Sequence, residues 1–563
     1  MVPTIVLGVL GWRHRALADD GVIFLRTVRQ ILAGNGPVLN VDERVEANTS
    51  TLWQWLLVLL GAITPGDLGF VAVMAGLVLT TAGVAVALDA TRRLYTEPAG
   101  RLLLPAGVLV PLAVPVFWDY ATAGLDTGLG TFWLAGCWWL LVRSRGGTSA
   151  GRACADSVWY GLGVLVRPDL ALVTGVFLVG ALLVARPGRG ACVARIAAAS
   201  ALPIAYEVFR AGYYGLLVPM PALTKEAGTS DPGRGMRYLW DFTAPYVLYV
   251  PALLFLAVLA AWSIRSRTDR RKLVVPLTPI VSALVVTVYV INLGGDYMHA
   301  RMLLPAMFLA LMPGLLLPAT RWTSPVAALV GVWAVACVGP WHPAAYHGHD
   351  ASTTARVRES DIRITGTSNA DHTRDWVLTF PGLRESTAAG LAANRPVLVR
   401  LGPDGRPTTM LPLNPDHAPA RVSIPGGFLG VTGQVVPLDQ YIVEVWGLAN
   451  TVGAHLEYTP GWQHKWPGHR KLIDDVWLLA LELDPAMHEL PPPGVPGVTP
   501  ENLAAARHAL SCGDLKELLD STRAPLSPSR FLRNLAGSHH RTTLRIPRDP
   551  VAAEHKFCGD RPK

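Results

Sequence analysis

The chain has 563 residues, of which 51% are hydrophobic and only 16% charged, with a mean hydropathy of +0.33, a balance that excludes an ordinary soluble enzyme and implies an integral membrane protein. The net charge of +8, from 49 Lys and Arg against 41 acids, reflects loop topology around a lipid bilayer and argues against a nucleic-acid partner. Apolar runs of about 17 to 25 residues recur as far as Pro340 and then stop, which divides the chain into a membrane part over 1–340 and a hydrophilic tail over 341–563.

In chain order, crossings are predicted near 1–12, 67–90, 102–118, 125–142, 153–166, 169–185, 196–212, 245–264, 273–293, 302–319 and 324–340, which makes eleven transmembrane helices. Basic clusters fall in every second loop: Arg92, Arg93 and Arg101; Arg143, Arg145 and Arg152; Arg186, Arg189 and Arg195; Arg265 to Lys272; and Arg321. By the positive-inside rule these loops are cytoplasmic. The loops 13–66, 119–124, 167–168, 213–244 and 294–301, with everything after 340, then face the outside of the plasma membrane. The 13–66 loop breaks the rule with Arg13, Arg15, Arg26, Arg29 and Arg44, so its cations are expected to have a role of their own. The first run, with about 12 apolar residues, is too short for a hydrocarbon core about 30 Å thick. A start codon placed too late explains this better than a cleaved signal peptide, since no A-x-A site follows. Residues 51–64 (TLWQWLLVLLGAIT) are also too short to span and are expected to lie in the interface.

The tail alternates in short strand-like runs (RPVLVRL, QYIVEVWGL), passes a Pro-rich joint at 490–499, and continues into an amphipathic helix (ENLAAARHALSC) and a closing strand. It is predicted to be a mixed α/β periplasmic domain. Cys512 and Cys558 lie in it and pair as a disulfide if it is outside the cytoplasm. No CxxC spacing joins Cys137, Cys154, Cys192 and Cys337, which are expected to be packing residues.

Ionisable residues at the membrane boundary are functional candidates because they are expensive to keep there. The outer loops supply Asp19, Asp20, Asp42, Glu43, Arg44, Glu46 and Asn48, then Asp119 and Asp126, the break Arg167-Pro168-Asp169, the run Arg210, Tyr213, Tyr214 and Lys225, and finally Asp296, His299 and Arg301. This set suits one kind of chemistry, in which a carboxylate takes a hydroxyl proton, cations hold a departing phosphate, and aromatic faces carry a sugar. Structural alternatives stand beside it. Arg167 and Asp169 pair across a helix break, His299 secures a loop, and an Asp before VIFLRTVRQILAG caps a helix over 22–33, although capping occupies one acid and leaves its neighbour unexplained. Adjacent carboxylates also repel, which raises the pKa of one.

The order of ADDG, LRTVRQILAGNGPV, RVEANTSTLW, TAGLDTGL, RPD, FRAGYYGLLVP and GGDYMHARMLL, continued in the tail by DQYIVEVWGLAN, GHRK and RFLRNLAGSHH, resembles the actinobacterial arabinofuranosyltransferases of the GT-C superfamily, in particular the type that adds terminal β-(1→2)-linked arabinofuranose to cell-wall arabinan. The resemblance implies a GT-C fold, decaprenyl-phosphoryl-arabinofuranose as donor, and an arabinan chain of arabinogalactan or lipoarabinomannan as acceptor. It makes Asp19 the catalytic base and Asp20 its support or a metal ligand. Glu46, Asn48, Arg167, Asp169, Arg210, Tyr213, Tyr214, Lys225, Asp296, His299 and Arg301 become the donor-binding set. In the tail, Trp446 and His455, with Tyr458, Trp462, His464 and Trp466 nearby, are expected to bind the acceptor glycan through stacking faces, with core packing as the alternative for each aromatic. No cofactor is certain; a divalent metal on Asp19, Asp20 and His299 fits without being required by any spacing. Asp126 and Asp169 stand where relatives often carry Glu. A β-linked donor and a β product point to retention, so the choice between nucleophile and base for the carboxylate stays open. The rivals are another polyprenyl-phosphate-sugar transferase, such as a mannosyltransferase, and a transporter or flippase, which needs charges at span centres and an internal repeat.

Overall fold

A computed structural model of the chain describes residues 1–41, 43–95, 102–226, 229–265, 271–339, 357–462, 468–488, 490 and 494–559, without the side chains of 262–265, 271–272 and 357. Asp42, His464, Trp466 and the predicted boundary at 340 lie outside the described residues, as does part of the joint at 490–499.

The membrane part is helical. Among the described residues, 4 helices are long and apolar enough to cross a bilayer: Leu68–Tyr95, Pro168–Ala185, Arg189–Tyr213 and Leu273–Leu293. Leu68–Tyr95 packs along Thr127–Arg143 through small residues. A side chain at Gly83 would lie 2.9 Å from Phe132, and one at Gly76 would lie 2.6 Å from the Ala121 carbonyl. Shorter apolar helices, Val2–Arg13, Thr51–Ile63, Tyr249–Ala261, Arg301–Gly314 and Thr323–Val338, accompany the long ones. Thr51–Ile63 buries Trp53 and Leu57 while Trp55, Leu59 and Ile63 are exposed, the two-sided character expected of an interfacial helix.

Residues 102–118 form no continuous helix. Strand β1 (Leu103–Pro105) pairs antiparallel with β2 (Leu316–Pro318), and two short helices follow at Leu109–Ala113 and Pro115–Asp119. Pro105, Pro111 and Pro115 each lack the N–H that a continuous helix needs. The same β2 ends the helical run read at 302–319.

In the tail, β3 (Val397–Leu401) sits between β4 (Pro407–Pro412), antiparallel, and β5 (Val422–Gly426), parallel. β6 (Tyr441–Glu444) adds in parallel to β5, with the helix Leu429–Val435 as the crossover. Helices Pro500–Leu510, Gly513–Arg523, Pro528–Thr543 and Pro550–Cys558 complete it, and Cys512 is bonded to Cys558. The closing element is therefore a helix, not a strand: Asp549 accepts a hydrogen bond from Ala552 N–H at 3.1 Å and Pro550 occupies the first position, a strong start signal. Ile546 just before it makes an isolated parallel bridge to Leu456.

The 13–66 segment is not a free loop. Its helix Asp19–Leu32 lies against Leu429–Val435 of the tail. Buried Arg26 donates from Nη1 to the carbonyls of Gly433 (3.3 Å) and Val436 (2.7 Å), and from Nη2 to those of Pro437 (3.2 Å) and Gln440 (2.9 Å). Arg29 reaches Gly433 and Gln434, Arg44 the carbonyls of Tyr213 and Ser521, and Arg15 the carboxylate of Asp371. These cations bind the tail to the membrane part.

Candidate active site

Asp19 and Asp20 open the helix Asp19–Leu32 with Ala18 as its N-cap. The helix thus begins earlier than the predicted 22–33, and neither acid caps it. Both stand in the first turn, where the helix dipole favours negative charge, and both face a cavity of about 350 Å³. The tail closes directly over Asp19. Val431 N–H donates to its Oδ1 at 3.0 Å, and a side chain at Gly430 would lie 2.6 Å from the same oxygen and closer still to the Asp19 carbonyl, so only glycine admits this approach. Burial and the neighbouring Asp20 push the Asp19 carboxyl up to about 7, against the backbone hydrogen bonds of Val431 and Gly430 that favour its charge.

Asp20 faces cations instead. Its Oδ2 is 3.6 Å from Arg301 Nη1, and the Tyr297 hydroxyl bonds to it. Arg301 is fixed from behind by Asp296, at 2.6 Å from Nη2 and 2.7 Å from Nε. Burial works against the Asp296 charge, but Arg301 and Lys225 hold its carboxyl below the usual range. Lys225 lines the same cavity and has no hydrogen-bond or ion-pair partner for its ammonium among the described residues. Burial and the nearby Arg301 and Arg167 depress its pKa, partly offset by Asp296 and Asp20. An ammonium with no counter-ion of its own, facing a cavity, is a ready anion ligand. Asn48 also faces the cavity; its amide donates to Gln54 at 2.8 Å and its buried Oδ1 has no partner among the described residues. From the tail come Trp376, Phe428, Trp446 and His469, with Trp446 packed on His469 and Trp462 at ring distances of 5.1 and 5.9 Å.

A second cavity, about 760 Å³, lies among Trp240, Phe255, Leu284, Met307 and Trp322, and no charged residue lines it among the described residues. It approaches the first where Leu303 follows Arg301 in the chain.

Two relatives match nearly the whole chain. A terminal β-(1→2)-arabinofuranosyltransferase of Mycobacterium tuberculosis is 35% identical, over 97% of this chain and 94% of its own length. One of the same description from Corynebacterium glutamicum is 33% identical, over 93% of this chain and 82% of its own. The chain belongs to the terminal β-(1→2)-arabinofuranosyltransferase family. Residues 412–556 match the AftB family C-terminal domain, so Gly430 and Val431, which touch Asp19, fall inside a domain characteristic of the family. No solved structure matches the chain.

Within this member of the family, several predicted site residues are engaged elsewhere. Glu46 holds Arg210 at 2.6 Å and accepts the Tyr206 hydroxyl at 2.6 Å, an ion pair that ties the 13–66 segment to the helix Arg189–Tyr213. Arg167 grips Asp169 through two hydrogen bonds of 2.9 and 2.6 Å, the pairing across a helix break. Tyr213 stacks on Phe209, and Tyr214 donates to the Pro37 carbonyl at 2.9 Å; both are packing residues away from the cavity. His299 is buried with Nδ1 2.8 Å from Asp241 and Nε2 3.3 Å from the Tyr246 hydroxyl, so a ligand set of Asp19, Asp20 and His299 does not assemble. His455 is buried between the carbonyls of Thr451 and Arg541, at 2.7 and 3.1 Å, and Tyr458 lies under Arg470.

Other groups reach the cavity without having been predicted. Tyr297 and His469 sit inside strings that carry the family resemblance, GGDYMHARMLL and GHRK, beside the charged residues that made those strings candidates. Asp361, in the tail helix Val357–Thr365, also faces the cavity. Its surroundings, ARVRESDIRITG, read as an ordinary charged helix, and nothing in that pattern marks it.

Proposed function

We infer that the protein is a membrane arabinofuranosyltransferase that places terminal β-(1→2)-linked arabinofuranose on arabinan of arabinogalactan or lipoarabinomannan, taking the sugar from decaprenyl-phosphoryl-arabinofuranose. The observation that carries this reading is the pairing of adjacent acids with adjacent cations in one cavity: Asp19 and Asp20 beside Lys225 and Arg301. The apolar cavity next to it suits a polyprenyl chain, which would put the donor phosphate at Lys225 and Arg301 while the sugar reaches the acids.

For a β-linked donor and a β product the anomeric configuration is retained, which two successive displacements achieve. In the first, a carboxylate oxygen bonds to the anomeric carbon. The bond from that carbon to the phosphate oxygen breaks, and its electron pair leaves on the polyprenyl phosphate. In the second, an acceptor hydroxyl oxygen bonds to the same carbon, its proton passes to a second group in its carboxylate form, and the first carboxylate departs. Asp20, held by Tyr297 and Arg301 beside the phosphate cations, suits the first role. Asp19, with a pKa near neutrality, suits the second.

The helix ends support a periplasmic orientation of the tail. Asp67, at the start of Leu68–Tyr95, accepts hydrogen bonds from the tail residue Thr373, while Arg92 and Arg93 lie at the other end, about 40 Å away. With the arginines cytoplasmic, the tail and the acid pair face the periplasm as parts of a membrane catalytic domain over 1–340 and a carbohydrate-binding domain over 341–563.

The test is a reconstituted assay with synthetic polyprenyl-phosphoryl-arabinofuranose and an arabinan oligosaccharide. New terminal β-(1→2) linkages are expected, and none with polyprenyl-phosphoryl-mannose. Transfer of mannose but not arabinose overturns the assignment. In the same assay Lys225→Met raises the donor KM by about 10- to 100-fold, the loss of one charge-assisted contact, and leaves the acceptor KM within about twofold; an unchanged donor KM removes Lys225 from the phosphate site.

A further inference from the structure

The cavity is chemically two-sided. Lys225, Tyr297 and Arg301 enter it from the membrane part, whereas Asp361, Trp376, Phe428 and Trp446 enter it from the tail. Among the buried acids, Asp296 is satisfied by Arg301 and the Tyr297 N–H, Glu46 by Arg210 and Tyr206, and Glu444 by the N–H groups of Trp446 and Ala449. Asp361 differs from these. It is 5% exposed, and its carboxyl has no hydrogen-bond or ion-pair partner among the described residues. An unpartnered buried carboxyl is unfavourable unless it is neutral or a ligand satisfies it.

We propose that Asp361 is the acceptor-binding carboxyl of this enzyme, holding the attacking hydroxyl of the arabinan end and a neighbouring hydroxyl over the donor sugar. The proposal rests on the transfer reaction inferred above and adds a residue from the tail to it. Burial raises the Asp361 pKa well above the carboxylate range, with Asp19 and Asp20 adding to the effect and Arg358 opposing it. A neutral carboxyl both donates and accepts, which matches a pair of sugar hydroxyls; a carboxylate there would instead repel the donor phosphate. The tail-side aromatic faces of Phe428 and Trp446 flank the same space and suit the apolar side of a furanose ring. The acceptor therefore enters beneath the tail while the donor enters from the membrane, and the two meet at Asp19 and Asp20.

The experiment measures transfer against both substrate concentrations, together with release of free arabinose from the donor when no acceptor is present. Asp361→Ala is expected to raise the acceptor KM at least about tenfold, the loss of two hydrogen bonds, while the donor KM and the acceptor-free release stay within about twofold. Asp361→Asn, neutral and of the same shape, is expected to keep the acceptor KM within about threefold. Acceptor-free release also reports that each variant is folded. An unchanged acceptor KM in Asp361→Ala, or a fall in kcat with no change in KM, overturns the proposal. Absence of transfer by the unaltered protein would instead overturn the inferred reaction itself.

Discussion

Replacing Asp19 by Asn is expected to lower kcat for arabinofuranosyl transfer by roughly 10²- to 10⁴-fold, the range for loss of a positioned general base, without unfolding the protein. The unaltered enzyme is expected to gain activity as pH rises through about 7, the value to which burial and Asp20 push the Asp19 carboxyl, and the variant to lose that limb. Stability moves the other way. Because burial and Asp20 raise the folded-state pKa above the ordinary 3.8, the folded protein binds more protons than the unfolded chain between those values, so this group's contribution to stability falls as pH rises from about 4 to about 7. An amide at position 19 carries no charge to bury, so the thermal midpoint of Asp19→Asn at pH 8 is expected to equal or exceed that of the unaltered protein. A lower midpoint, or a pH limb that survives the substitution, refutes the role given to Asp19. Activity bought with local instability is the usual pattern at functional sites.

The acid pair was legible in the sequence because composition made two adjacent carboxylates at a membrane boundary anomalous, and Lys225 and Arg301 because positive charge is rare beside apolar runs. Four of the predicted residues that do not reach the cavity share a different feature. Glu46 with Arg210 and Arg167 with Asp169 form ion pairs, and local sequence cannot distinguish a cation awaiting a ligand from one with a partner 164 residues away. The continuous helix expected at 102–118 is broken for a similar reason: hydropathy registers the apolar run, but whether its prolines end a helix or kink one depends on β2, which arrives more than 200 residues later. Asp361 is the clearest case of information that lies only in the fold. A lone Asp in a charged helix is unremarkable until the tail turns it toward Asp19 and Asp20.

The tail itself changes meaning once the arginines of the 13–66 segment are followed to their partners. They were anomalous as loop charges, since five of them broke the positive-inside pattern. Arg26, Arg29 and Arg44 are accounted for by backbone carbonyls, and Arg15 by Asp371. Polar groups that would otherwise be buried without partners on the tail are satisfied from the membrane part, so the two parts are mutually dependent where they enclose the cavity.

Arg26→Met tests that dependence, and its expected cost is about 3 to 5 kcal/mol of stability, the scale for removing one side of a buried charged network. Burial and Arg29 depress the Arg26 pKa to about 9, still above neutrality, so a cation is lost together with the bonds to Leu39, Val436, Pro437 and Gln440. Methionine fills a similar volume, which leaves those carbonyls unpaired rather than creating a large void. The consequence should extend to chemistry, because the loop released by Arg26 is continuous with Gly430 and Val431. If the Val431 N–H withdraws from Asp19, the carboxylate loses a bond that favours its charge, and the pH midpoint of transfer moves above 7. Arg26→Lys, which restores the charge but only part of the planar donor array, should recover stability partially. A variant with a lowered thermal midpoint and an unshifted pH midpoint would show that the tail is attached at Arg26 without tuning Asp19. A shift in both would establish that one buried guanidinium couples docking of the tail to the ionisation of Asp19.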